Sequence, residues 1–143
     1  GPKESNVRAA VAADIDGDRT VDIVVGDAKT GLFIYRGKGQ RAFEEPFPIG
    51  DKSGAPYSIG VADLNRDGKR DLVVGRQQAR GSVFFNAGNA KTLVFSEVPW
   101  GDGQGAVYGL AVGDLDGDGW PDIAAARSEA PNGIWFSGAA TKK

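Results

Sequence analysis

The chain contains no cysteine, no histidine and no methionine. Without cysteine there can be neither a disulfide nor a thiolate metal site, and the redox compartment is left open. Without histidine, the commonest general base and the commonest zinc ligand are both gone. Any metal held here must be held by oxygen, which selects calcium, magnesium or manganese. Long apolar runs are missing too: no window approaches about 18 apolar residues, so no membrane-spanning helix is expected. No basic cluster interleaved with aromatics occurs, which argues against a nucleic-acid partner. No segment sustains a helical period, so no helix is expected.

What is abundant is glycine, 22 of 143 residues, with no collagen period. Together with 41% hydrophobic residues this points to one all-β domain with many tight turns and a real core. The chain opens Gly1-Pro2, which reads as the scar of a cleaved tag.

Eleven of the nineteen acidic residues lie in three short loops. These are Asp14-Ile15-Asp16-Gly17-Asp18-Arg19-Thr20-Val21-Asp22, Asp63-Leu64-Asn65-Arg66-Asp67-Gly68-Lys69-Arg70-Asp71 and Asp114-Leu115-Asp116-Gly117-Asp118-Gly119-Trp120-Pro121-Asp122. Carboxylates this close repel one another unless a cation joins them. Three divalent ions would carry the formal net charge from −2 to +4. Calcium takes six to eight oxygens, and a loop offers them from alternate residues curling around the ion. Magnesium suits such loops less well, because it prefers an octahedral, partly hydrated site. An EF-hand would close the site with a Glu at position 12; here that position is Val25, Val74 or Ala125. The carboxylate that recurs is at position 9, where each Asp opens a strand. The competing explanation, that Asp and Gly are only turn residues, weakens once three copies share one register.

The loops are 49 and 51 residues apart, a repeat period, and one repeat is one supersecondary unit. The linkers align as well, Gly50–Tyr57 with Gly101–Tyr108. Strands are expected at 7–13, 22–25, 32–36 and 43–49; at 57–62, 71–74, 82–86 and 92–98; and at 107–113, 122–125 and 133–137. Ile23-Val24-Val25, Leu72-Val73-Val74 and their counterparts in the third strands are apolar on both faces, as in sheets stacked around an axis. The expected architecture is all-β: three propeller blades of four-stranded antiparallel sheet, the last lacking its outer strand. The expected bounds are 3–50 for the first blade, 51–101 for the second, 102–138 for the incomplete third, and 139–143 for a tail.

The D-x-[D/N]-x-D-G-x-x-D loop running into D-[I/L]-V-V-G at this period resembles the FG-GAP/VCBS repeat family, which includes the integrin α-subunit propeller. The resemblance covers nearly the whole chain. It implies calcium between the first and second strands of each blade, up to three ions in all. The implied side-chain ligands are Asp14, Asp16, Asp18 and Asp22; Asp63, Asn65, Asp67 and Asp71; and Asp114, Asp116, Asp118 and Asp122. The implied carbonyl ligands are Thr20, Lys69 and Trp120. Asn65 and the neighbouring Arg66 make the second loop the weakest expected site, and Arg19 makes the turn of the first loop strained.

No catalytic residues are expected, and the chain reads as a non-enzymatic calcium-binding scaffold or interaction module. Loops of this kind suit millimolar calcium and therefore a secreted or cell-surface setting. Some relatives of this fold are lectins, so the alternative is a carbohydrate-binding propeller using Tyr57, Trp100 and Tyr108. Three blades leave two apolar faces open, so a homo-oligomer is expected, most simply a dimer closing a six-bladed ring; the alternative is that the chain is a fragment or engineered part of a longer propeller and an oligomer only by default. A further ligand would be a protein or a glycan.

Overall fold

A computed structural model of the chain describes residues 4–52 and 54–138. Gly1-Pro2 and the expected tail lie outside the described residues. The strands are β1 (Val7–Ala13), β2 (Asp22–Asp27), β3 (Gly31–Tyr35) and β4 (Phe47–Ile49); β5 (Pro56–Ala62), β6 (Asp71–Arg76), β7 (Gly81–Asn86) and β8 (Phe95–Trp100); and β9 (Ala106–Gly113), β10 (Asp122–Ser128) and β11 (Gly133–Trp135). They form two four-stranded antiparallel sheets and a three-stranded one, each in simple sequence order. These are three propeller blades, and the third has no outer strand among the described residues.

Three expected strands are shorter than the sequence suggests, the last of them β11, which stops at Trp135 rather than 137. The fourth strand of blade one begins at Phe47, and Phe43 makes only an isolated bridge with Gly37. Pro46, which has no amide hydrogen to donate, lies between them. In blade two, Thr92 is consumed by a turn in which it and Asn89 exchange backbone hydrogen bonds, so β8 starts at Phe95. The second strands run longer than expected. Gly26 and Gly75, which look like turn residues, lie inside β2 and β6.

The reason is the neighbouring blade. A Cβ on Gly26 would lie 3.0 Å from Pro56, and one on Gly75 would lie 2.5 Å from Val107. In both cases the contact comes from the first strand of the next sheet. The first strands β1, β5 and β9 lie side by side, and their Ala, Gly and Val content lets them approach.

Two hydrophobic joints hold the blades together. In the first, Val24, Leu32, Ile34 and Ile49 meet Leu72, Val74 and Phe84. In the second, Val73, Val83 and Trp100 meet Val107, Ile123 and Ala125. The residue after the first Asp of each acidic loop acts as a peg: Ile15 enters the first joint and Leu64 the second. Only the middle blade is covered on both sides, so every residue of β6 is buried. The outer faces of blades one and three meet no other sheet among the described residues.

The close approach at Gly75 carries a test. Gly75→Ala must displace Val107 or Ser58 and should cost about 1–3 kcal/mol. Gly113→Ala, with nothing within 4 Å of the added carbon, should stay within about 0.5 kcal/mol of the parent. Denaturant titration compares them, and equal midpoints would refute this account of the joint.

Candidate metal centres

Each acidic loop joins the first strand of its blade to the second. The turn needs left-handed backbone at positions 4 and 6. Gly17 and Arg19 supply it in the first loop (φ 80° and 71°), Arg66 and Gly68 in the second (59° and 87°), and Gly117 and Gly119 in the third (82° and 87°). Only the third loop has glycine at both places. Each arginine there costs roughly 1–2 kcal/mol of local strain, as the sequence suggests for Arg19.

The carboxylates serve the loop backbone. Asp14 accepts from the amides of Gly17 and Arg19, Asp63 from Asp67 and Gly68, and Asp114 from Gly117 and Gly119. Position 3 accepts from the position-5 amide, and position 5 from the position-7 amide, in all three loops. These bonds wind the chain so that its oxygens converge. Oxygens of Asp14, Asp16 and Asp18 lie within 4.8 Å of one another, as do those of Asp114, Asp116 and Asp122. A set of hard oxygen donors this compact fits a divalent cation in the first and third loops; among the described residues the second loop brings no three carboxylates so close.

Asp22, Asp71 and Asp122 at position 9 are fully buried. One oxygen of each accepts from the amide of the peg residue, Ile15, Leu64 or Leu115, at 2.8 Å in each case. The other accepts from an amide at or just past the end of the third strand, that of Gly37, Asn86 or Ser137, at 2.8–2.9 Å. The position-9 carboxylate thus ties loop, second strand and third strand together. A carboxylate oxygen with one amide partner still has a lone pair for a cation.

Two arginines shape the sites. Arg36, at the end of β3, places its Nε 2.7 Å from the buried Asp16 carboxylate and bonds Glu44 and the Ala90 carbonyl as well. A cation is therefore already paired with a candidate ligand of the first loop. Sequence reasoning missed this residue; the signal was its place in the repeat, where the other blades carry Phe85 and Phe136. Arg66 turns away from its own carboxylates and lies over the Trp120 ring of the third loop, 5.4 Å from the centroid.

The candidate ligand-binding aromatics separate. Trp100 is buried, donates its indole N–H to the Val74 carbonyl and packs edge-on against Trp135. It has no ring face to offer a ligand. Tyr57 and Tyr108 meet edge to face at 5.1 Å, with Arg8 over Tyr57 and Tyr108 exposed.

Burial pushes the Asp22 and Asp71 carboxyls above the ordinary range, outweighing their backbone amide partners; Asp16 and Asp18 push Asp22 the same way, and Asp67 pushes Asp71. The burial that raises Asp27 is outweighed by the amides of Lys29, Thr30 and Asn6, so it sits low. The Gln104 amide, then Arg127, lowers Asp102.

Residues 14–74 and 63–125, two overlapping stretches covering most of the chain, match the FG-GAP-like repeat family. Human integrin alpha-7 is 38% identical over 107 residues, 65% of this chain. Integrin alpha-PS5 of Drosophila melanogaster is 31% identical over 145 aligned residues, 81% of this chain. The matches span 9% and 14% of those relatives' own lengths.

The raised carboxyls set a pH dependence. A folded pKa above the unfolded 3.8 means the folded chain holds protons that the unfolded chain has released. Stability from these groups is full below about pH 3.8 and falls as pH rises through the folded values. Asp27 and Asp102 act below that window. Metal-depleted protein should therefore lose melting temperature as pH rises above about 3.8, whereas a rise in melting temperature there would contradict it.

Proposed function

The chain belongs to the FG-GAP-like repeat family, and on that premise we propose that it is a non-enzymatic, calcium-stabilised propeller scaffold that works by binding a partner. The observation that carries this is the convergence of carboxylate oxygens within 4.8 Å in the first and third loops. A divalent ion there would neutralise like charges and cross-link the first two strands of a blade. Because the folded chain binds it and the unfolded chain does not, its binding free energy would add to stability. The acidic residues are thereby accounted for structurally, and the chain has no histidine or cysteine to supply a base or nucleophile. Loops of this composition suit millimolar calcium, which favours a secreted or cell-surface setting. Among the described residues no helix is long and apolar enough to cross a membrane.

The three sites are unequal in this reading. The third loop has four carboxylates and glycine at both left-handed positions. In the first, Arg36 competes for Asp16; the second has Asn65 and three carboxylates. The third should bind most tightly and the second least.

At a hundredfold excess over Kd, calcium should add about 2.7 kcal/mol, on the order of 10 °C for a chain of this size. Melting with calcium and then with chelator measures this. Terbium should be sensitised by Trp120, and Asp116→Ala should remove most of that emission. Melting that ignores calcium, or emission that survives the substitution, would sink the proposal.

The row of Arg8, Tyr57 and Tyr108 favours a second reading, in which the apolar face of a sugar stacks on the exposed Tyr108 ring with Arg8 as polar partner. All three residues sit six positions before their acidic loops, at the opposite ends of the first strands. A glycan array should give hits that Tyr108→Ala loses; a blank array discards this reading.

A further inference from the structure

We propose that the outer face of blade three docks on the outer face of blade one of a second copy of this chain, and that two copies close head to tail. The inference goes beyond the calcium reading and does not rest on it.

In each blade the first and third residues of the second strand's apolar run, with one from the third strand, face backward, and the residues between them face forward. The backward set of blade two, Leu72, Val74 and Phe84, is buried in the first joint against the forward set of blade one, Val24 and Ile34. The forward set of blade two, Val73 and Val83, is buried against Ile123 and Ala125 of blade three. The open faces carry the same two sets. Blade one presents the backward set Ile23, Val25 and Tyr35, paired across β2 and β3 with Phe33. Blade three presents the forward set Ala124 and Ile134.

The pegs follow the same rule. Ile15 is 2% exposed and Leu64 8%, each sunk in the joint ahead of it, whereas Leu115 is 50% exposed. Beside it, Ile134 and Phe136 are also exposed. Around Ala111, Ala124, Ala126 and Ile134 lies an open, mostly apolar groove of about 730 Å³. It is thus one half of a joint the fold makes twice, and the chain carries the other half on blade one. A heterologous contact of this kind closes under a twofold axis, because both joints of the pair are then identical.

One position is tailored differently. Where blades one and two have Gly26 and Gly75 against the next first strand, blade three has Ala126, an extra methyl in the groove. Removing it should tighten the contact.

Light scattering on the full chain should give about 30 kDa, twice the 14.9 kDa of one copy. Val25→Glu and Ile134→Lys alter counterparts of Val74 and Ile34, which share the first joint, and each lies on an open face. Each variant alone should run as a monomer with an unchanged far-ultraviolet circular dichroism spectrum, showing that its own sheets still form. An equimolar mixture should recover the dimer, since one joint is then unaltered and the other pairs Glu with Lys. Ala126→Gly should lower the dimer dissociation constant several-fold. A monomer at all concentrations, single variants that still dimerise, or a mixture that stays monomeric would each overturn the proposal. The monomer result would leave these faces to a different occupant.

Discussion

The structure depends first on a buried carboxylate with two backbone partners. In each blade the aspartate that ends the acidic loop accepts one amide from the loop's start and another from the end of the third strand. An ionised group without exposed surface is costly unless hydrogen-bonded, and a broken partner is costlier than the bond is worth. The loop therefore has little freedom to open without exposing this group. Fixing the loop fixes the peg residue beside it, and the first two pegs fill the joints between blades. Convergence of the remaining carboxylates follows from the same winding.

That winding has a cost which the three loops meet differently. Positions 4 and 6 must be left-handed, and the third loop meets both with glycine. The other two each place an arginine there. Arg66 gains contact with the Trp120 ring, so the strained residue of one loop becomes a link to the next. Arg36 does something similar from the strand side, reaching Asp16 and the Ala90 carbonyl of the neighbouring blade. The first and second candidate loops are therefore each tied to the following blade by a cation as well as by apolar packing.

Much of this was legible in the sequence because the repeat displays it three times. The loop register and the strands that follow were marked by recurring residues. What was hidden depended on neighbours in space. Gly26 and Gly75 look like turn signals in a linear reading, and only the adjoining sheet explains them as strand residues. Trp100 looks like a ligand-binding aromatic until the wedge between sheets is seen to need a large ring with one hydrogen bond. Arg36 is a single charge in a strand context, and its partner is twenty residues away. The position-9 aspartates were read as the residues closing an ion site, and their second role as backbone acceptors needed coordinates.

The coverage of the middle blade has a further consequence. Each sheet pairs only strands adjacent in sequence, and each touches only the next sheet along, so stability is distributed almost one-dimensionally. A blade with two neighbours shares in two interfacial terms, and a terminal blade in one. Local opening should therefore be graded along the chain: amide hydrogens in β6 and β7 exchange only when most of the molecule unfolds, and those of the flanking sheets exchange through smaller, cheaper excursions. The solenoid-like order that made the repeat readable also makes its centre the slowest part to come apart.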